Sequence, residues 1–310
     1  MCAVFAICVW GVTFASTRSL LYEFSSLEIQ ILRFGIAWVT LALARLFAQK
    51  RRGPSSYRLR DEVLFAGMGL TGIAAYQFLE NCAIYYTNAS NVAILVSFGP
   101  VATAAIGRCF SRGRPLTPLF LVGSLVAVSG AALTSLNGLV TLQLRPLGDV
   151  MAFLAMLSWG IYSLLVDEAN RRGIPAADAI RRAFFWSLVM MAPLAAWGAT
   201  ESGFCALDGS FSVTLDAEEN ADRFSRLLNV FNIAFLGVLA SAACFAAWSC
   251  ACRGLGVVRA TVGLYATPVV GVFFAVCCLG ERLAPMAIAG GVLILAGVIV
   301  ADTGYRRAKE

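Results

Sequence analysis

The chain has 310 residues, of which 59% are hydrophobic and only 14% are charged, and its mean hydropathy is +0.78. Soluble domains carry about 25% charged residues, so this composition predicts an integral membrane protein and excludes a large aqueous catalytic domain. The chain contains no histidine, which removes imidazole bases and histidine metal ligands. Most of its ten cysteines lie in apolar runs, where packing is their usual role. We therefore expect no enzyme activity, no cofactor and no metal site.

Apolar segments of membrane-spanning length recur along the whole chain. A helix needs about 20 apolar residues to cross a bilayer, and the alternating polarity of membrane β-strands is absent. The sequence therefore predicts an all-α integral membrane protein with ten transmembrane helices. Their predicted bounds are 2–21, 28–47, 63–84, 89–107, 117–136, 149–166, 180–199, 229–251, 258–279 and 284–302.

The basic residues predict the orientation of these spans. Of the 24 Lys and Arg residues, Arg18, Arg33 and Arg45 lie inside spans. If both termini are in the cytoplasm, four of the other basic residues lie at the outer face of the membrane and the remaining 17 lie at the inner face. This bias fits the positive-inside rule. We therefore expect a multi-pass protein of the cell membrane with cytoplasmic N- and C-termini. The net charge of +6 then reflects topology and anionic lipids, and we expect no nucleic-acid partner.

Short motifs of the first half recur in the second half at two fixed spacings. The first spacing relates Trp10-Gly11 to Trp159-Gly160 and Arg33 to Arg182, and the longer second spacing relates Pro100 to Pro268 and Gly123 to Gly291. The long loop 200–228 accounts for the difference between the two spacings. Each copy has five spans, and an odd number forces the second copy to cross the membrane in the opposite sense. We therefore expect two inverted five-helix repeats, residues 1–136 and 149–304, as in many secondary transporters.

A series of motifs along the chain carries a family resemblance. They are Trp10-Gly11-x-x-Phe14 with Arg18, then Arg33-Phe34, Tyr86-Thr87-x-Ala89-Ser90, Pro100 and Leu279-Gly280-Glu281-Arg282-Leu283. Their order and duplication resemble the EamA-type transporters of the drug/metabolite transporter superfamily over nearly the whole chain. The resemblance implies a ten-helix permease for small metabolites, often an exporter of amino acids or related compounds. The first half departs from the pattern, because Gly113-Arg114-Pro115-Leu116 stands where its Glu-Arg-Leu motif would be.

Three ionisable residues lie inside predicted spans at a similar depth near the outer side: Arg18, Arg33 and Glu80. A charge at the centre of a membrane helix costs about 2.5 to 3.5 kcal/mol on insertion scales, so such residues usually face the bundle interior. The arginines could bind an anionic group of a substrate, and Glu80 could bind an ammonium group or a coupling proton. In a structural alternative, Glu80 neutralises one arginine while the other extends to the lipid headgroups.

Aromatic and polar residues add to the candidate site. Trp10 and Phe14 share a helix face with Arg18, and Trp159 with Tyr162 occupies the corresponding stretch of the second half. Pro100 and Pro268 are predicted hinges, since proline frees backbone carbonyl groups inside a membrane helix. The full set of predicted substrate-binding residues is Trp10, Phe14, Arg18, Arg33, Glu80, Asn81, Trp159, Tyr162 and Tyr265.

The leading hypothesis is a secondary transporter that moves a small amphipathic metabolite across the bilayer by alternating access. No Walker A motif is present, so ATP is not the direct energy source. One alternative is a membrane-embedded lipid-modifying enzyme, which would need more chemistry than the acidic pairs Asp61-Glu62 and Asp167-Glu168 offer. Another is a passive channel, which would need a continuous line of polar residues. Proton coupling and homodimer formation stay open at this stage.

Overall fold

A computed structural model of the chain describes residues 1–52, 58–87, 89–109, 116–136, 145–200, 211–279 and 285–307. These residues form helices joined by turns and loops, which confirms the all-α class. Nine helices of the described segments are long and apolar enough to cross a membrane. The remaining predicted span, 117–136, is a helix over Pro118–Leu136, whose apolar stretch Pro118–Thr134 is shorter than those of the other nine.

We label the nine candidate spans and this shorter helix in chain order. They are α1 Cys2–Leu20, α2 Ser26–Arg52, α3 Asp61–Tyr86, α4 Asn91–Cys109, α5 Pro118–Leu136, α6 Pro146–Arg171, α7 Ala176–Gly198, α8 Leu227–Leu255, α9 Val257–Phe274 and α10 Pro285–Arg307. A short helix over Ala217–Ser225 precedes α8.

Helical structure is interrupted just before both predicted hinge prolines. A helix over Ala89–Val96 ends in a turn, and a new helix starts at Gly99, directly before Pro100. In α9, a 3₁₀ turn over Leu264–Ala266 precedes Pro268. Proline has no N–H to donate to the preceding turn and its ring clashes with that turn's backbone, which explains why the helices break at these points.

Two other spans are widened by π-helical turns. These turns cover Leu70–Ala75 in α3 and Phe235–Ala243 in α8. A π turn inserts an extra residue and changes the direction of the carbonyl groups, and such turns are frequent at functional sites. The two widened turns lie in the third span of each half, so they occupy corresponding positions in the proposed repeats.

Most helix contacts cross between the two halves of the chain. Helix α1 packs against α8 and α9, and α6 correspondingly packs against α3 and α4. Helix α2 packs against α7 and α8, and α7 correspondingly packs against α2 and α3. The core therefore lies between the halves, and for these four helices, exchanging each helix for the one five places along reproduces the contacts just named.

Helices α5 and α10 form the closest antiparallel pair, and glycines make their close approach possible. Gly123 faces Ala301, Gly130 faces Ile294 and Gly304 faces Phe120. Inside a bilayer, lipid tails are as apolar as leucine, so small residues that let backbones approach supply much of the association energy of such helices.

We expect Gly130→Ala to lower the stability of the protein by about 1 to 3 kcal/mol, the usual effect of overpacking a core. An added Cβ would lie 2.6 Å from both the Ile294 nitrogen and the Gly290 oxygen. The matched control is Gly35→Ala in α2, where no described atom lies within 4 Å of the added carbon. Thermal unfolding in detergent should show a lower midpoint for Gly130→Ala and an unchanged or higher one for Gly35→Ala. Equal midpoints would contradict the packing described here.

Candidate functional site

Six aromatic side chains from both halves meet in the core, and we call them the central aromatic cluster: Trp10, Tyr76, Trp159, Tyr162, Phe245 and Trp248. The ring centroids of Trp10 and Trp159 are 6.0 Å apart, and that of Trp10 lies 5.6 Å from that of Trp248. Tyr76 approaches Trp159 to 5.3 Å. Such distances are typical of favourable aromatic pairs. The cluster therefore joins α1 and α3 of the first half to α6 and α8 of the second.

Hydrogen bonds join the duplicated Trp-Gly motif of each half, or the residue before it, to the widened turn of the other half. The Trp10 indole nitrogen donates to the Ala240 carbonyl oxygen at 2.9 Å. Next to Trp159, the Ser158 hydroxyl donates to the Thr71 carbonyl oxygen at 2.7 Å. Each half thus donates to the π turn of the other half, so these turns set the distance between the halves at the cluster.

Arg33 and Glu80 lie beside the cluster. The Tyr76 hydroxyl donates to Glu80 at 2.9 Å, so this tyrosine links the carboxylate to the aromatic rings. The Arg33 Nε donates to the Ser241 hydroxyl at 3.1 Å, one residue after the carbonyl that holds Trp10. The opposite charges of Arg33 and Glu80 also interact. Acidic, basic and aromatic groups therefore adjoin one another between the halves.

The structure places the other predicted site residues apart from these groups. Arg18 is exposed, as the structural alternative predicts for one of the two arginines. Asn81 donates a hydrogen bond to Ser26 at the start of α2. Tyr265 is 3% exposed and its hydroxyl lies close to that of Ser124. Phe14 lies in α1, but its side chain is outside the described part of the structure.

Three members of the cluster, Tyr76, Phe245 and Trp248, are absent from the residues predicted from sequence. A single aromatic in an apolar run gives no signal that separates packing from ligand contact. For Trp248 the repeat gives such a signal, because Trp248 and the predicted site residue Glu80 are equivalent positions at the second repeat spacing.

Ion pairs tie the helices together at one end of the bundle. Arg172 contacts Asp61 at 2.8 Å, and Arg182 contacts Glu62 at 2.6 Å. Arg45, near the end of α2, contacts Asp178 at 3.3 Å. The hydrogen bonds that Arg172 donates to Asp61 and Glu168 raise its pKa above the ordinary value, so the guanidinium stays charged. These pairs connect α2 and α3 of the first half to α7 and to the turn before it.

A second polar group closes the opposite end of α2. Glu28 contacts Arg223 at 3.2 Å, and the two side chains are only 9% and 7% exposed. Glu28 also accepts hydrogen bonds from the backbone N–H groups of Ser25 and Thr214. The Arg223 guanidinium lies 4.6 Å from the centroid of the Phe24 ring. This end latch, Glu28 with Arg223, therefore fastens the segment before α8 onto the start of α2.

Comparisons with known proteins give matches over nearly the whole chain. The model of the family described as the EamA-like transporter family matches residues 1–136 and 146–301. A probable terminal-alkyne amino-acid exporter of Streptantibioticus cattleyicolor is 27% identical over 96% of this chain and 91% of its own. The uncharacterized transporter YyaM of Bacillus subtilis is 22% identical over 96% and 92%. A solved crystal structure of a protein with 18% identity covers 100% of this chain and 98% of its own, with a TM-score of 0.73.

Glu28→Gln should lower stability by about 3 kcal/mol, because it leaves the buried Arg223 charge without its main counterion. The matched control is Glu219→Gln, which removes a second acid from the same arginine. Glu219 lies 3.8 Å from Arg223 and is 55% exposed, so its loss should cost less than about 1 kcal/mol. Thermal unfolding of both variants measures the difference, and equal losses would argue against the end latch.

Proposed function

Because the chain belongs to the EamA-like transporter family, we propose that it is a secondary transporter that exports a small amphipathic metabolite, an amino acid or a related compound. The observation that carries this proposal is the meeting of Arg33, Glu80 and the central aromatic cluster between the halves. Arg33 would bind a carboxylate, Glu80 an ammonium group and the rings an apolar side chain. One relative is named a probable terminal-alkyne amino-acid exporter, which supports this class of substrate and this direction.

The proposed architecture is ten transmembrane helices in two inverted repeats, residues 1–136 and 149–304. Equivalent contacts support it. A Cβ added at Gly11 would lie 2.7 Å from Val270, and one added at Gly160 would lie 3.6 Å from Ala102. Gly11 and Gly160 are partners at the first repeat spacing, and Ala102 and Val270 are partners at the second. Inverted repeats allow one packing arrangement to open to either side of the membrane.

In the proposed cycle, the two polar ends of the bundle open in turn. Asp61, Glu62 and Asp178 with their arginines close one end, and the end latch closes the other. Pro100 and Pro268 would act as hinges, since the helix breaks before them leave α4 and α9 free to bend. Substrate that binds one arrangement more tightly than the other shifts the equilibrium between them. A transporter of this kind is not an enzyme and needs no cofactor.

The proposed location is the cell membrane, with both termini in the cytoplasm. The excess of Lys and Arg in alternate loops supports this orientation. It assigns the Asp61–Arg172 end of the bundle to the cytoplasm and the end latch to the outside. Glu80 would then lie toward the outer side, where it could also exchange a coupling proton. Homodimer formation is compatible with this arrangement and is not needed for it, since both halves of the site come from one chain.

We expect Glu80→Gln to lower transport about 10- to 100-fold, the effect of losing one hydrogen bond to a charged group. Glutamine keeps the shape of the side chain but cannot ionise, so any dependence of transport on a pH gradient should also disappear. The measurement is counterflow of a panel of radiolabelled L-amino acids into proteoliposomes. Glu218→Gln, an exposed acid in the helix before α8, is the control and should transport normally. Unchanged rate and pH dependence in Glu80→Gln would refute a role for its ionisation.

A further inference from the structure

Three buried hydrogen-bond donors of the central aromatic cluster have no acceptor in the described part of the structure. Among the residues that the structure describes, no partner is found for the Trp159 Nε1, the Trp248 Nε1 or the Tyr162 hydroxyl. Tyr162 and Trp248 are 0% exposed. A buried donor without a partner costs about 1 to 3 kcal/mol, and native structures contain few of them. Three on adjoining rings therefore require an explanation.

The rings that carry the three donors adjoin one another. The ring centroids of Trp159 and Tyr162 are 5.1 Å apart, and those of Trp159 and Trp248 are 6.2 Å apart. Trp10 in the same cluster differs, because its indole nitrogen already donates to Ala240. The unpaired donors thus belong to α6 and α8, which are both in the second half of the chain.

Charge is distributed unevenly around this site. Glu80 and Trp248 are partners at the second repeat spacing, so a carboxylate in the first half corresponds to an indole in the second. Tyr76 lies between the two regions, with its hydroxyl on Glu80 and its ring 5.3 Å from that of Trp159. One part of the site therefore suits an ammonium group, and the other part offers apolar rings with neutral donors.

We propose that the substrate carries a neutral hydrogen-bond acceptor at the far end of an otherwise apolar side chain, bound by Trp159, Tyr162 and Trp248. This inference rests on the proposed function and narrows its substrate class. An ether oxygen, a carbonyl oxygen or a ring nitrogen would satisfy these donors. A purely aliphatic or phenyl side chain would fill the same volume but leave them unpaired. A site that hydrogen-bonds its substrate discriminates against analogues that lack the matching group. This discrimination is far stronger than that of an apolar pocket, which selects by side-chain size alone.

The test compares amino acids of equal shape that differ only in a distal acceptor. O-methyl-L-serine is matched with L-norvaline, and L-4-pyridylalanine with L-phenylalanine. Binding is measured at pH 7.5 by thermal-shift titration of the purified full chain, since a ligand of the folded state raises its stability by mass action. Within at least one pair, the member with the acceptor should bind about five- to tenfold more tightly, the effect of pairing one buried donor.

Trp248→Phe and Tyr162→Phe keep an aromatic ring at each position but remove the indole N–H and the phenol O–H donors. For the pair that shows a preference in the wild type, each variant should bind both amino acids with nearly equal affinity. Each variant should still bind the amino acid that lacks the acceptor. Trp38→Phe is the matched control, because the Trp38 Nε1 is also buried without a partner in the described structure but lies outside the cluster, beside Phe185. It should keep the wild-type ratio.

The outcomes separate this inference from the proposed function. If all four amino acids bind but neither pair shows a preference, or if the preference survives in both variants, the donor site is refuted and the amino-acid transporter remains. If none of the four binds to the wild type, the proposed substrate class fails and the inference fails with it.

Discussion

The contact between the two halves at their widened turns is the constraint on which the rest of the structure depends. Trp10 donates to Ala240 in the π turn of α8, and Ser158 donates to Thr71 in the π turn of α3. In the interior of a bilayer no water competes for carbonyl groups, so hydrogen bonds within the protein are strongly favoured there. These two hydrogen bonds hold α1 against α8 and α6 against α3. The same pairs of helices bring the aromatic rings together.

The remaining contacts divide into permanent and reversible ones. Helices α5 and α10 meet backbone to backbone through glycines, and such close packing has no room to slide. The two polar ends of the bundle rest on ion pairs, which water could replace in the proposed cycle. The cluster is made of large planar rings, whose edge and tilted contacts could open and re-form in that cycle. The proposed alternating access needs both kinds of contact.

The sequence predicted the class of the fold because hydropathy alone determines where helices can cross a bilayer. It also predicted that Trp10 and Trp159 belong to one candidate site, since a duplicated motif in oppositely oriented halves would bring equivalent residues to the same interface. The π turns carry no sequence signature, so the positions of Ser241 and Arg33 relative to the cluster were not predictable. The polarity of Asn81 and Tyr265 inside apolar spans is what predicts them as substrate-binding residues. In the structure Asn81 instead donates to Ser26, a hydroxyl group that a linear pattern does not reveal.

In the proposed cycle, substrate enters between the rings of the central aromatic cluster. The chain has six tryptophans, so replacing Trp38, Trp186 and Trp197 by phenylalanine leaves emission from Trp10, Trp159 and Trp248 alone. Fluorescence of this variant in proteoliposomes should be titrated with the amino acid that gives the fastest counterflow. We expect a saturable change in emission with the same half-maximal concentration as transport, because the rings must separate to admit a ligand. An unchanged spectrum at concentrations that saturate transport would contradict it.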